Sequence, residues 1–420
     1  MNFELINTGS ELMLGRVLNT HQQWLCRQLA DLGYVVNRQV AVADTADDIE
    51  SAVREALGRA DFIITTGGLG PTSDDITRDR IAALLGRKLH EDPAIVAHVE
   101  TFFAKRNRPM PVSTRVQAMV PDGAIVLGNG HGTAPGLALH VSPNPFRIDG
   151  KPSWLVMLPG PPRELRPMFT SQVAPLLRAK LPLDADFVCR TLRTVGIGES
   201  YLEERIANPL KRLTDAGLEL GYCAHSGAVD VRFVGRGCGA DADVAEAARI
   251  VYSLAGEHIF GEGDDELEQV VLRRLTERKQ TLALAESCTG GFIANRITNV
   301  PGASAVLLAG LVTYSNAAKR SFLGVKAETL AAQGAVSEAV AREMAESCRG
   351  QTGADFAIGV TGIAGPGGGT PEKPVGTVFI ALASTAGTQV INPINRYDRE
   401  TFKYLTCMQA LELLRRAMAA

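Results

Sequence analysis

The sequence predicts an α/β protein: two α/β domains with mainly parallel sheets, joined by a small α+β module. Three observations carry that expectation. Short apolar runs alternate with amphipathic helical stretches over the first 66 residues, the rhythm changes between about 172 and 258, and it restarts after a polar break at Gly261-Glu262-Gly263-Asp264-Asp265. The domains expected are 1–171, 172–260 and 261–420. A chain of 420 residues is too long for one ordinary core, since domains usually run to about 100–200 residues.

In order along the chain, residues 3–7 read as a strand, 18–32 as a helix, 34–42 as a strand, 47–57 as a helix and 62–66 as a strand. This β-α-β-α-β order implies a parallel sheet covered on both faces, with a ligand site where strand carboxyl ends meet helix amino ends. The rhythm breaks at Leu158-Pro159-Gly160-Pro161-Pro162, read as the close of that domain. The middle module is expected to comprise strands at 190–196, 219–223 and 229–234, with helices at 199–206 and 243–254. Gly261 to Asp265 is the linker candidate. Beyond it come helices at 267–278 and 292–298 and strands at 281–285, 305–313, 356–360, 375–383 and 388–394. A helix from about 399 ends the chain.

Composition narrows the function classes. The chain is 45% apolar and 21% charged with a net charge of −3, which leaves no electrostatic footprint for nucleic acid. Aromatics are 5%, too few for a base-stacking platform. Seven cysteines are scattered without a Cys-x-x-Cys pair, which argues against a disulfide framework or zinc site. Met1-Asn2-Phe3-Glu4 lacks the pattern of a signal peptide, and no apolar run approaches the ~20 residues that a bilayer requires. A cytoplasmic protein without membrane or nucleic-acid partners is expected, and its apolar helix surface suits a homodimer.

Two regions carry chemistry. Ala285-Glu286-Ser287-Cys288-Thr289-Gly290-Gly291 follows an apolar strand and opens a helix. The N–H groups of Thr289, Gly290 and Gly291 are candidates to stabilise an oxyanion or bind phosphate. Alone, this is a nucleophile at Ser287, a phosphate loop or a structural turn. Cys288 is a competing nucleophile or buried packing. Thr313-Tyr314-Ser315-Asn316-Ala317-Ala318-Lys319 is a second strand-to-helix junction, with Ser315 or Asn316 suited to cap it. Near a helix amino end and away from water, Lys319 is expected to have a lowered pKa and to act as a base, unless it is an ordinary solvated lysine. The loop Thr361-Gly362-Ile363-Ala364-Gly365-Pro366 and Arg399 converge on the same sheet edge, where backbone amides and a guanidinium suit a phosphate.

In the amino-terminal region, Gly67-Gly68-Leu69-Gly70-Pro71-Thr72-Ser73-Asp74-Asp75 follows the third strand. Gly67, Gly68, Gly70, Thr72 and Ser73 are the candidate phosphate ligands. Asp75 and Asp79 are four apart and expected on one helix face, which with a phosphate suggests a divalent cation. The alternative is that Asp74 and Asp75 only cap the helix.

The segments between about 285 and 400 resemble the carboxy-terminal domain of the CinA family (competence/damage-inducible protein A), a nicotinamide-nucleotide amidase. The matching stretches are Ala-Glu-Ser-Cys-Thr-Gly-Gly, Tyr-Ser-Asn-x-x-Lys, Gly334-Ala335-Val336-Ser337, Thr-Gly-Ile-Ala-Gly-Pro with Lys373-Pro374-Val375-Gly376-Thr377, and Asp398-Arg399. The resemblance implies hydrolysis of nicotinamide mononucleotide to nicotinate mononucleotide and ammonia, without a cofactor. Ser287 would be the nucleophile and Lys319 the base. Thr289, Gly290, Gly291, Tyr314, Asn316, Thr361, Gly362 and Arg399 would bind substrate. Two departures are Tyr397 before Asp398, where the family often has glycine, and Lys403 in place of a later arginine.

The glycine-acid stretch, with Gly9-Ser10-Glu11-Leu12 and Asp44, resembles the molybdopterin-binding fold that stands at the amino terminus of CinA proteins. Leu158 to Pro162 and Asn129-Gly130-His131-Gly132-Thr133-Ala134-Pro135-Gly136 fit it too, and His21 departs from the family's usual asparagine. Some members hydrolyse ADP-ribose with a divalent metal and potassium, which implies Asp44, Asp75 and Asp79 as metal ligands here. The middle module is KH-like by resemblance, yet Gly196-Ile197-Gly198-Glu199 lacks the Gly-x-x-Gly loop that grips RNA. The competing expectations are a nucleotide- or pterin-binding protein acting through a protein partner in DNA uptake or repair, and a molybdenum-cofactor enzyme.

Overall fold

The computed structural model describes residues 1–418. They form two compact units, Met1–Cys189 and the chain from Arg190 onward. The strands of the first unit are β1 (Phe3–Thr8), β2 (Val36–Val42), β3 (Phe62–Thr66), β4 (Leu89–Glu91), β5 (Met119–Pro121), β6 (Ile125–Leu127), β7 (Gly136–Val141) and β8 (Ser153–Leu158).

Six of these make one sheet in the order β2-β1-β3-β8-β7-β6. β2, β1, β3 and β8 are parallel, β7 runs against them, and β6, antiparallel to β7, runs with them again. Every residue of β1, β3 and β8 is buried, as expected of parallel strands covered on both faces. Alternate side chains serve opposite faces: Ile6, Ile63 and Leu155 pack with Ile49, Val53 and Ile81, whereas Leu5, Phe62 and Val156 pack with Leu25, Leu29 and Leu165. Because β2 and β3 lie on opposite sides of β1, a crevice opens between the carboxyl ends of β1 and β3.

The first unit extends beyond the expected boundary at 171. Val173, Ala174 and Leu177 belong to its second core cluster, so the helix Ala174–Lys180 has its apolar face committed there.

The second unit contains two sheets. β9 (Phe187–Val195), β10 (Glu219–His225), β11 (Ala228–Arg236) and β12 (Ile259–Glu262) form one, in the order β10-β11-β9-β12, with helices Glu199–Asp215 and Ala240–Ala255. β13 (Leu282–Glu286), β14 (Leu307–Val312), β15 (Phe356–Gly362), β16 (Val378–Ser384) and β17 (Gly387–Ile391) form the other, in the order β14-β13-β15-β16-β17. Here β13 is parallel to both neighbours, β16 runs against β15, and β17, antiparallel to β16, runs with the first three again, so one reversed strand makes the sheet mixed. The cause is local: only Thr385 and Ala386 separate β16 from β17, and so short a turn cannot cross over to make a parallel pair.

The expected linker is not one. Gly261 and Glu262 belong to β12, paired with Arg193 and Leu192 of β9. The Glu262 carboxylate accepts from Arg190 at 2.9 and 2.7 Å and from the Tyr252 hydroxyl at 2.8 Å. Val195, Ala228 and Phe260 share one core cluster with Leu267, Leu275 and Phe402, so the two sheets are fused by packing. Arg415, buried on the final helix Arg399–Ala417, pairs with Glu412 and donates to the carbonyls of Glu257 and Ile259.

Candidate active site

β14, β13 and β15 are parallel neighbours, so their carboxyl ends lie side by side, with Glu286 level with Val312 and Val360. Each chain continues directly into a candidate segment. The Ser287 N–H is anchored on the Val360 carbonyl at 3.0 Å. After β14, Ser315 caps the helix Asn316–Leu323 by accepting from Ala318 N, which places Lys319 in its first turn.

Lys319 is 1% exposed, and its Nζ lies 2.8 Å from Ser287 Oγ, 2.9 Å from the Thr313 carbonyl and 3.5 Å from that of Tyr314. A neutral amine has two N–H donors and one lone pair. The two carbonyls match the donors, and the serine hydroxyl can give its proton to the lone pair. No carboxylate pairs with Lys319 among the described residues. Burial lowers its pKa, opposed by the charge that Cys288 would carry as a thiolate. That opposition is silent at neutral pH, because burial lifts the Cys288 thiol to about 12. Cys288 lines the cavity but stays protonated, a poor nucleophile beside the serine.

The cavity is about 200 Å³ and is lined by Ser287, Tyr314, Asn316, Lys319, Thr361, Gly362 and Arg399, among others. Thr361 Oγ1 donates to the Ala335 carbonyl at 2.8 Å, tying β15 to the Gly334–Ser337 stretch. Arg399, the first residue of the final helix, donates to the Tyr314 hydroxyl at 2.7 Å and to the Gly365 carbonyl. Its guanidinium joins the two rims of the cavity and has no carboxylate partner among the described residues.

Thr289, Gly290 and Gly291 do not line this cavity. Thr289 is fully buried, Gly290 N–H is taken by the Ser287 carbonyl at 3.1 Å, and Gly291 N–H by a Glu286 carboxylate oxygen at 3.0 Å. Two of the three expected anion donors are therefore already engaged, Gly290 by a carbonyl and Gly291 by the protein's own carboxylate. Sequence reasoning missed Glu286; the signal was an acid ahead of a glycine pair that opens a helix and brings no capping side chain.

In the first unit, a cleft of about 580 Å³ opens at the crevice between β1 and β3. Gly67, Gly68, Gly70, Asp44 and Asp75 line it, whereas Thr72 and Ser73 do not. Gly67 and Gly68 have φ of 98° and 67°, and a Cβ on Gly67 would stand 2.6 Å from the Thr8 carbonyl. Thr72 is exposed, its N–H and hydroxyl both bound to the Asp75 carboxylate.

The three expected metal ligands are not gathered. The helix begins at Thr77, so Asp75 lies in the turn before it and the four-residue spacing to Asp79 sets no common face. Asp79 is bound to Arg78 at 2.6 Å and does not line the cleft, and Asp44 accepts the Ser10 N–H at 2.7 Å. No group of three or more metal-binding side chains occurs among the described residues. The trio therefore does not fit a metal ion. The cleft is acidic nonetheless: Glu11, Asp44, Asp74, Asp75 and Glu164 line it, with no lysine or arginine. His21 also faces it, held neutral by burial. Gln117 is a lining residue that sequence reasoning missed. It is buried, with its side-chain oxygen lacking any partner.

No helix among the described residues is long and apolar enough to cross a membrane.

Comparison with known proteins covers the whole chain. Residues 4–179 match the family described as a probable molybdopterin binding domain, 189–261 the damage-inducible protein CinA KH domain, and 264–418 the CinA C-terminal domain. A CinA-like protein of Gemmatimonas aurantiaca is 42% identical over 100% of this chain and 97% of its own. A putative competence-damage inducible protein of Symbiobacterium thermophilum is 46% identical over 98% of both. Among solved structures, a competence/damage inducible protein from Agrobacterium tumefaciens is 42% identical, covering 37% of this chain and 94% of its own with a TM-score of 0.36. The first sheet is thus molybdopterin-binding-like and the second KH-like, and the chain as a whole belongs to the CinA family.

Proposed function

We propose that the second unit is a serine amidohydrolase acting on nicotinamide mononucleotide. The observation that carries this reading is the 2.8 Å contact between Ser287 Oγ and the buried Lys319 amine. Neutral Lys319 takes the serine proton as Oγ attacks the carboxamide carbon. The tetrahedral intermediate expels ammonia, which takes the proton back from Lys319. Water then gives a proton to the same amine as it attacks the acyl-serine, and that proton passes to Ser287 Oγ as nicotinate mononucleotide leaves. The small cavity suits a flat amide-bearing ring, and Arg399 at its rim suits the nucleotide phosphate, as a guanidinium with no carboxylate of its own. Seven free thiols are consistent with a reducing cytoplasm as the place of action.

The test is ammonia release from nicotinamide mononucleotide by the full chain, beside Ser287→Ala. Activity lost with Ser287→Ala in a folded variant supports the reading; a wild-type protein that releases no ammonia ends it.

A second activity is proposed for the acidic cleft of the first unit: binding of a nucleotide diphosphate such as ADP-ribose. Its support is the cleft at the carboxyl ends of β1 and β3, where the backbone of Gly67, Gly68 and Gly70 forms part of the lining. With five carboxylates and no lysine or arginine in the lining, binding should require a divalent cation that the diphosphate itself carries in. Calorimetric titration with ADP-ribose, with and without magnesium, tests it. Equal affinity in both would refute it, and release of AMP would make the domain a pyrophosphatase.

A further inference from the structure

We propose that Glu286 is a positioning residue for Ser287, holding the nucleophile's loop by its carboxylate. The proposal rests on the reading of Ser287 as nucleophile. Glu286 is 1% exposed and does not line the cavity, so it cannot touch substrate. Its Oε2 accepts N–H groups from Gly291 at 3.0 Å and Ile293 at 3.2 Å, and its Oε1 accepts from Ala294 at 2.9 Å. Its own main chain is fixed in the sheet, where its carbonyl accepts the Thr313 N–H at 2.8 Å.

An ordinary helix cap comes from the residue just before the helix. Here that residue is Gly291, in the left-handed region at φ 91°, with no side chain to offer. The cap instead reaches back across the loop to the residue preceding Ser287. Residues 287–290 are consequently closed between a strand end and a helix start that the same carboxylate ties together. The Gly290 N–H on the Ser287 carbonyl tightens the loop further. Lys319 approaches from another element, so the 2.8 Å contact depends on where this loop holds Oγ.

The three acceptor sites also require a carboxylate. A glutamine would keep one oxygen and turn an NH2 group toward backbone donors. Glu286→Gln therefore loses at least one bond and sets donor against donor, with little change in volume. Ala294→Pro removes one donor from the opposite side and leaves the carboxylate intact, in the first turn, where the N–H has no partner within the helix.

The experiment uses the full chain with Glu286→Gln, Glu286→Asp and Ala294→Pro. It reads kcat and KM for ammonia release, the rate at which a fluorophosphonate labels Ser287, and the melting temperature. Glu286→Gln should lower kcat and labelling together by about 100-fold, the cost of a misplacement near 1 Å, with KM changed less than about threefold. Ala294→Pro should lower both by about tenfold, and Glu286→Asp, which keeps the charge, should recover part of the loss. Labelling and kcat within about threefold of wild type in a folded Glu286→Gln or Ala294→Pro would overturn the proposal, as would a loss seen only in KM. Labelling without ammonia release in the wild type would sink the amide substrate alone, and the labelling rates would still decide on Glu286. A wild type that neither labels nor turns over would overturn both.

Discussion

Replacing Lys319 by arginine separates its two possible contributions, charge and basicity. Arginine preserves a cation that the Thr313 and Tyr314 carbonyls can hold, but its pKa above 12 leaves a neutral fraction below roughly 10⁻⁴ at pH 8. If Lys319 works as the base, losing it should remove most of the 10²–10⁴-fold that general base catalysis typically supplies. The expected fall in kcat/KM is about 10³-fold, or about 4 kcal/mol in the barrier. The wild-type pH profile makes the same argument in a second form. Burial lowers the Lys319 pKa and the only opposing charge, on Cys288, does not form until about pH 12. Activity should thus climb with pH and level off at a midpoint below the ordinary lysine value of 10.5. Ammonia release measured from pH 6 to about 11 follows both. An arginine variant that keeps a tenth of the activity, or a wild-type limb still rising at 10.5, would refute the assignment of Lys319 as base.

The same lowered pKa sets a sign for stability. Between the lowered folded value and 10.5 the unfolded chain binds the extra proton, so wild type should gain stability relative to Lys319→Met as pH rises through that window. Below it, each unit of lowering costs about 1.4 kcal/mol; denaturant titrations at pH 7 and 9.5 give the slope, and one of opposite sign is the contrary result. Glu412→Ala strands the buried Arg415 and should destabilise the second unit by about 3–5 kcal/mol in urea, whereas Glu412→Met with Arg415→Met should lose much less. Gly68→Ala puts a Cβ against the Thr77 hydroxyl at a φ of 67° and should lower the melting temperature while abolishing nucleotide binding to the first unit; an unchanged titration would show that the ligand binds elsewhere.

How much of this was legible depended on whether a signal was local. The strand at 62–66 and the helices at 267–278 and 292–298 have the bounds read from the sequence, because buried apolar runs and helical periodicity are written in contiguous residues. The approach of Ser287 to Lys319 followed from two strand-to-helix junctions on one sheet edge, and the parallel register of β14, β13 and β15 brings them together. The helix Glu338–Thr352 was passed over, although Ser337 marks its start by accepting the Val340 N–H. The acids failed for a definable reason. Spacing of four places two side chains together only inside a helix, and Asp75 stands two residues ahead of one. Asp79 then has Arg78 beside it, a competitor that a pattern of acids alone does not weigh. Glu286 was harder to read for the opposite reason: the acid ahead of a glycine pair is there to see, but its partners are backbone N–H groups, which every sequence possesses and none displays.

The shared core beneath β12 bears on how this protein can be divided for experiment. A fragment beginning after Gly263 would carry the whole five-stranded sheet yet leave the apolar surface that met Val195, Ala228 and Phe260 bare to water, and Arg415 without the carbonyls of Glu257 and Ile259. Such a fragment invites aggregation, however sound its active site. One beginning at Phe187, where β9 starts, keeps the four-stranded sheet as a built-in solubility partner. For expression or crystallisation of the CinA carboxy-terminal domain, the economical cut is therefore some 75 residues upstream of its family boundary, which lies at 264.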